Sequence, residues 1–337
     1  MLIMLSKIQG NGPAIAALVG NIFVTVIKTI VAVFSGSASM FAESVHSFAD
    51  TLNQTFLLIG LKRSRRPADK SRGYGYGIER FFWSLISACG ILFIGAGVTI
   101  YHSVQAILHP SLNAPDFNYF NIVVLCISFV VEGITLLIAY RELTGGEKFR
   151  KEILADADPV TLAIVYEDGA AVLGVIVALV AQALVHFTGN NIYDSVGGVI
   201  VGGILGFLAI LLIVKNHGYI IGKSLDEKTT AEIVKFMLKD PCIENILEFK
   251  SVAVDINKYR IYTTVEWNGS PLYGDIYEKG DLKEEFNNIK NDFREFAKLM
   301  FKTTDRIPRL VGSHIDKIEK KIKKKFPQVS YVDIEIN

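Results

Sequence analysis

Long apolar runs separated by short polar segments dominate the first two thirds of the chain. A helix that crosses a bilayer needs about 20 largely apolar residues, and six segments have this character. These segments are residues 14–34, 38–61, 81–101, 120–140, 158–187 and 195–214. The pattern predicts a polytopic α-helical membrane protein in which residues 1–220 form six transmembrane helices.

Residues 221–337 have a different pattern, in which amphipathic helices and alternating strands replace the apolar runs. Helical spacing is present in 229–240, 281–302 and 306–326, and strand-like alternation in 246–256, 259–267 and 329–336. The sequence therefore predicts a second, C-terminal α/β domain over residues 221–337.

The average composition conceals this division. The 337 residues are 50% hydrophobic and 20% charged, with a mean hydropathy of +0.36, and most of the charge falls in 221–337. These values exclude a disordered chain, a coiled coil and a disulfide-rich secreted module. The net charge of +1 provides no overall field that would hold nucleic acid. The three cysteines, at positions 89, 126 and 242, are too scattered for a CxxC metal site.

The basic residues predict how the helices are oriented in the membrane. They are concentrated in segments 62–80 and 141–152, whereas 102–119 and 186–193 contain no Lys or Arg. The positive-inside rule then places both termini and the C-terminal domain in the cytoplasm. We expect a location in the cell (inner or plasma) membrane, and the first residues, MLIMLSKIQGNG, lack the arginine-rich character of a transit peptide.

Ionisable residues inside a membrane are costly and are therefore candidates for function. His46 and Asp50 are four residues apart, so they share one face of the second helix and can hold one divalent cation. Asp168, preceded by Glu167, brings carboxylates at similar depth from the fifth span. The pattern favours a metal site, and a purely structural polar network is the alternative.

Other polar residues of the predicted spans have less specific interpretations. Asn53 lies on the face of His46 and Asp50, where it can ligate through its amide oxygen or support the ligands from behind. Glu43 is expected near the outer mouth of the second helix. Glu132, isolated in the fourth span, is expected to carry protons or to bond to a neighbouring helix. Lys28 is expected to snorkel towards the interface.

At this point the chain resembles a known family. The segment SGSASMFAESVHSFADTLNQ (35–54) resembles the signature of the cation diffusion facilitators, with its His-x-x-x-Asp on the second helix. The branch resembled most is the zinc transporter nine group. The segments that carry this resemblance are 84–110, 166–174, 193–206 and 314–336, and together they extend over nearly the whole chain.

The resemblance implies six membrane helices, a cytoplasmic ferredoxin-like domain and a homodimer. It implies an antiporter, not an enzyme, that exports zinc or a similar divalent cation from the cytoplasm against incoming protons, with no further cofactor. By position, His46, Asp50 and Asp168 match the family's ligands. Ile164 departs from the pattern, because most members have His or Asp there, so Glu167, Asn53 or a water has to complete the set. An oxygen-rich set leaves manganese, cobalt and ferrous iron open as substrates.

The C-terminal domain also departs from the family. Many members bind regulatory zinc there through clustered His and Asp, whereas this domain contains His314 alone, with His217 in the linker before it. We therefore expect no cysteine- or histidine-built zinc site in this domain, and dimer contacts instead. A membrane metal sensor or scaffold with a degenerate site, and a channel, are the competing functions.

Overall fold

The structure is a computed structural model that describes residues 12–109, 119–144, 159–272, 286–287, 289–290 and 292–337. Within these ranges the side chains of 12–20, 142–143 and 159–164 are not described. The chain divides into two compact units, Met1–Gly218 and Tyr219–Asn337, which we describe separately.

Each of the six predicted apolar segments corresponds to one helix among the described residues. The helices are α1 Gly12–Ser35, α2 Ala38–Ser64, α3 Glu79–Leu108, α4 Tyr119–Thr144, α5 Pro159–Thr188 and α6 Ile192–Ile220. Within α3, residues Ile91–Val98 form a π-helical segment. Four helices are long and apolar enough to cross a membrane: α3, α6, Tyr119–Arg141 of α4 and Val165–Thr188 of α5. In α1 the described apolar part is the shorter Asn21–Ser35.

Helix α2 is the most polar of the six, yet it lies at the centre of the packing. Its Met40 belongs to a buried apolar cluster with α1, α4 and α5, and its Ala49 to a second cluster with α3 and α6. By contrast, large apolar side chains such as Phe34, Phe93 and Phe207 are exposed on the outer faces. Polar residues inside and apolar residues outside are what a lipid-facing bundle requires.

Small residues allow α6 to approach its neighbours closely. A Cβ atom added at Gly198 would lie 2.2 Å from Ser103 Oγ of α3 and 3.1 Å from the Ala38 carbonyl oxygen of α2. One added at Gly202 would lie 2.7 Å from the side chain of Ile100. Such close contacts between backbones are typical of membrane helices, where packing rather than the hydrophobic effect drives association.

The N-terminus of α2 is held by a carboxylate from another helix. Asp194 of α6 accepts hydrogen bonds from the backbone N–H groups of Ala38 (2.5 Å) and Ser39 (3.3 Å) and from Ser37 Oγ (2.9 Å). The side chains of Ser39 and of Gln182 on α5 also donate to it. A negative group at this position satisfies donors that no helix can satisfy internally, and it fixes the start of α2 against α5 and α6.

The second unit is an α/β domain. Its elements are α7 Glu227–Met237, β1 Ile243–Asp255, β2 Lys258–Trp267, α8 Phe293–Lys325 and β3 Val329–Ile336. The described sheet has the order β1-β2-β3, with β1 and β2 antiparallel and β2 and β3 parallel. Ile233, Ile261 and Ile322 are fully buried in its core. The ferredoxin-like fold expected from the resemblance stays a prediction for this three-stranded sheet.

The long helix of this unit corrects one prediction. Instead of separate helices over 281–302 and 306–326, the structure has one helix, Phe293–Lys325, which continues through Pro308. Residues 281–285 lie outside the described part of the chain. A proline costs the helix one hydrogen bond locally, but the amphipathic face continues beyond it and buries Ile318 and Ile322.

Candidate metal centre

His46 and Asp50 meet on one face of α2, as their spacing predicts. His46 Nε2 lies 3.4 Å from Asp50 Oδ2, but this contact lacks the geometry of a hydrogen bond. The imidazole is buried, and its Nε2 has no hydrogen-bond partner among the described residues. A buried ring nitrogen and a carboxylate oxygen that face one another without a hydrogen bond are suited to sharing a cation.

The carboxylates of α5 lie near this pair without joining it in a compact cluster. Asp50 interacts electrostatically with both Glu167 and Asp168, so the three acidic groups approach one another across the interface of α2 and α5. A third His, Cys, Asp or Glu does not complete the pair, however: among the described residues, none has a ligand atom within 4.8 Å of the ligand atoms of both His46 and Asp50. The structure thus pairs His46 with Asp50 and leaves Asp168 close by.

Asn53 connects the site to two other helices. Its Nδ2 donates to Glu167 Oε1 of α5, and its Oδ1 accepts a hydrogen bond from Ser87 Oγ of α3 at 3.0 Å. Both ends of the amide are therefore occupied by protein groups. Of the two roles expected for Asn53, this arrangement matches support of the neighbouring carboxylates rather than direct ligation.

A buried ion cluster lies one turn before His46 along α2. Lys28 Nζ of α1 lies 3.1 Å from Glu43 Oε2 and 3.0 Å from Glu132 Oε1 of α4. Lys28 and Glu43 are fully buried, so the expectation that Lys28 snorkels is wrong: two carboxylates hold its ammonium group inside the bundle. Of the two roles expected for Glu132, a bond to a neighbouring helix is the one observed. One oxygen of each carboxylate has no hydrogen-bond partner among the described residues.

The sequence contains the members of this cluster but gives no sign that they pair. The three residues stand in three different spans, and their pairing depends on which helices are neighbours in the bundle. The charges in the predicted spans could have provided a signal. A lysine inside a membrane bundle needs carboxylate partners, and the spans that contain Lys28, Glu43 and Glu132 offer both.

The π-helical segment of α3 packs against α2 beside the face that carries His46 and Asp50. A Cβ added at Gly95 would lie 3.9 Å from the Cβ of Ala49, the residue before Asp50. Segments with π-helical hydrogen bonding are rare and often occur at functional sites. The apolar run 91–98 contains only glycine as a hint of this irregularity, so the sequence analysis missed it.

Comparisons with known proteins agree with this architecture. The family model described as the cation efflux transmembrane domain matches residues 14–221. The human protein named "Proton-coupled zinc antiporter SLC30A9, mitochondrial" is 35% identical over 318 residues, which cover 92% of this chain and 55% of that protein. The chain therefore spans about half the length of the human protein.

Two further relatives extend the comparison. "Metal tolerance protein C4" of Arabidopsis thaliana is 36% identical over 315 residues, covering 89% of this chain and 68% of that protein. "Magnetosome protein MamB" of Paramagnetospirillum magneticum is 26% identical over 231 residues, covering 68% and 73% respectively. The family and the human relative are transporters rather than enzymes.

These relatives overturn the expected location. The name of the human protein places that protein in the mitochondrion, which points to an organellar membrane. The prediction of a cell (inner or plasma) membrane is therefore wrong. It rested on basic loops, which orient a protein in any membrane but do not identify the membrane.

The resemblance seen in the sequence is confirmed, because the family model covers well over half of the chain and the human and plant relatives align with most of it. The chain belongs to the cation efflux family, the cation diffusion facilitators, and within it to the branch of zinc transporter nine.

Proposed function

We propose that this chain is a secondary active transporter that exports zinc across an organellar membrane in exchange for protons, by alternating access. The observation that carries the proposal is the buried His46–Asp50 pair, whose ring nitrogen has no hydrogen-bond partner among the described residues and whose neighbours are the carboxylates of α5. The printed name of the human relative, a proton-coupled zinc antiporter, supports zinc and proton exchange.

The ligands that we propose for zinc are His46 Nε2 and the carboxylates of Asp50 and Asp168. Position 164 is Ile and offers no ligand, so a fourth group has to come from elsewhere. Glu167 is the best placed protein group, because its carboxylate interacts electrostatically with Asp50. A water molecule is the other possible source of the fourth ligand. Asn53 orients Glu167 and does not need to ligate.

The proposed mechanism uses the separation of the two halves of the site. His46 and Asp50 are in contact on α2, whereas Asp168 belongs to α5, so a small movement between these helices makes or breaks the full ligand set. Zinc binds the deprotonated ligands, and protons that arrive from the other side compete for the same atoms and release it. Each state is therefore favoured by one of the two exchanged ions.

The remaining parts of the proposal concern assembly. We propose that all six helices span the membrane, that the basic segment 62–80 faces the compartment from which zinc is removed, and that the protein acts as a homodimer. Two polar residues of α2 support its place as a span, since Glu43 pairs with the buried Lys28 of α1 and Asn53 donates a hydrogen bond to Glu167 of α5.

An alternative substrate deserves testing because the donor set is rich in oxygen. One imidazole with the carboxylates of Asp50, Asp168 and Glu167 is a harder ligand set than the one that usually binds zinc. Such an oxygen-rich set favours manganese, cobalt or ferrous iron more than a cysteine- or histidine-rich set would.

The function can be tested with the purified full chain in sealed proteoliposomes. Zinc, manganese, cobalt and ferrous iron are offered one at a time, with and without a proton gradient, while internal metal and internal pH are recorded together. We expect zinc flux that is accelerated by an opposing proton gradient and accompanied by proton movement. Metal binding without flux would favour a sensor or scaffold, and flux without proton movement would favour a channel.

A further inference from the structure

Three residues of different chemistry converge in the second unit. The ligand atoms of Asp240, Cys242 and His314 all lie within 4.8 Å of one another. Asp240 and Cys242 flank Pro241 in the connection between α7 and β1, whereas His314 belongs to α8. They are far apart in sequence, and the fold brings them together where α8 passes the start of the sheet.

The cluster is held in place by the surrounding structure. His314 Nε2 lies 2.9 Å from Asp240 Oδ1, which also accepts a hydrogen bond from the Cys242 backbone N–H at 3.2 Å. The Cys242 carbonyl accepts a hydrogen bond from the Asn268 N–H at 2.8 Å, which ties this segment to the end of β2. The ring of Trp267 packs against His314 with its centroid 5.7 Å away. Cys242 is buried, and the other two ligand residues are half-buried.

The spacing of the three atoms suits a tetrahedral cation. Zinc bonds of about 2.0–2.3 Å at tetrahedral angles separate neighbouring ligand atoms by about 3.5 Å. Small side-chain rotations bring atoms that lie within 4.8 Å of one another to that separation. Because His314 and Asp240 already face each other, a cation bound between them takes the place of the proton that they share.

The donor types select the class of metal. A thiolate, an imidazole and a carboxylate together favour zinc and disfavour magnesium, calcium and manganese, which prefer oxygen ligands. Lys321 Nζ lies 3.7 Å from Asp240 Oδ2 and offsets the negative charge of the cluster. The Lys321 side chain is largely exposed, so it can move away when a divalent cation supplies that charge instead.

We propose that Asp240, Cys242 and His314 bind one thiophilic divalent cation, zinc above all, with a water as the fourth ligand. This site shares no residue with the transport ligands, and it does not depend on the transport proposal. The sequence led us to expect no cysteine- or histidine-built zinc site in this domain, and the proposal reverses that expectation. The expectation was based on sequence motifs, and motifs do not reveal ligands that only the fold brings together.

Cobalt(II) bound to the purified full chain in detergent provides the test, because a cobalt–thiolate bond produces a near-ultraviolet charge-transfer band. The proposed transport ligands contain no sulfur, so they cannot produce this band. We expect cobalt added until both proposed sites are saturated to give the band in the wild type, and zinc to abolish it. We expect the variant C89S/C126S, whose sole cysteine is Cys242, to keep the band.

The ligand variants complete the design. C242S should lose the band, and His314→Gln and Asp240→Asn should weaken the affinity for cobalt at least about 10-fold. Asp50→Asn and Asp168→Asn should leave the band unchanged, which separates this site from the transport site. A wild type or C89S/C126S protein without the band, or a C242S protein that retains it, would overturn the proposal.

Discussion

Asn53 of α2 donates a hydrogen bond to Glu167 of α5, the residue immediately before the proposed ligand Asp168. The same amide accepts a hydrogen bond from Ser87 of α3, so one side chain links three helices at the level of the site. This link is consistent with the positioning role that we propose for Asn53, and it aligns the face of α2 that carries His46 and Asp50 with α5 through polar contacts.

The first prediction concerns this link. Asn53→Ala should leave buried polar groups of both Ser87 and Glu167 without their partner and cost about 1–3 kcal/mol of stability. We expect slower zinc flux together with a raised KM, because Glu167 loses its orientation. The measurement is zinc flux against concentration in proteoliposomes, alongside thermal unfolding in detergent. Ser87→Ala breaks only one of the two hydrogen bonds and should have a smaller effect on both zinc flux and thermal stability. Equal effects of the two variants on zinc flux would argue against the positioning role.

A second prediction concerns the ion cluster of Lys28, Glu43 and Glu132. Lys28→Met leaves two carboxylates inside the bundle without their cation and should cost about 3–5 kcal/mol. The triple variant with Glu43→Gln and Glu132→Gln removes those charges too and should recover part of the loss. Chemical unfolding in detergent measures both variants. A triple variant no more stable than Lys28→Met would show that the ion pairs are not the reason for the loss.

The cap of α2 provides a third prediction. Asp194→Ala removes the acceptor of two backbone N–H groups and of three side chains, so the loss should reach about 2 kcal/mol, the upper end for a helix cap. Asp226 at the start of α7 is a matched control, because it also caps a helix through its side chain but is exposed. Asp226→Ala should therefore cost less in thermal unfolding, and the reverse order would contradict the role given to Asp194.

Asp226 also gives a prediction for pH. The hydrogen bond from the Thr229 backbone N–H lowers the pKa of its carboxyl group below the ordinary value of about 3.9. A depressed pKa in the folded state contributes stability above the unfolded value, and this contribution is lost as the pH falls through the folded pKa. Asp226→Asn keeps a capping oxygen but cannot titrate. Its small deficit in melting temperature relative to the wild type should shrink below about pH 4; a deficit independent of pH would contradict this.

The parts of the fold that depend on local periodicity were predictable from the sequence. The strands predicted at 246–256, 259–267 and 329–336 correspond closely to β1, β2 and β3, because alternation over a half-buried sheet is a local signal. The pairing of His46 with Asp50 was equally accessible, since four residues make one turn of a helix.

Contacts between distant segments were not predictable in this way. The pairing of Lys28 with Glu132 requires α1 and α4 to be neighbours, and the approach of His314 to Asp240 requires α8 to pass the turn before β1. The long helix of the second unit departs from a local prediction as well: residue spacing predicted two helices, over 281–302 and 306–326, whereas the structure has one helix, Phe293–Lys325, which continues through Pro308. No single-sequence pattern encodes these arrangements.

The central claim, that zinc and protons compete for His46, Asp50 and Asp168, is tested most directly by recording zinc and proton flux together in proteoliposomes for the variants Asp50→Asn and Asp168→Asn. Asp305→Asn, an exposed carboxylate-to-amide change in α8, is the control. We predict that both site variants, once shown to be folded, lose zinc-coupled proton flux at least about 10-fold, while the control retains it. Mutating a residue that only supports a metal ligand already costs about 10-fold or more in affinity or activity, so the loss of a ligand should cost at least as much. Zinc flux and pH dependence left intact by Asp50→Asn and Asp168→Asn would contradict the account.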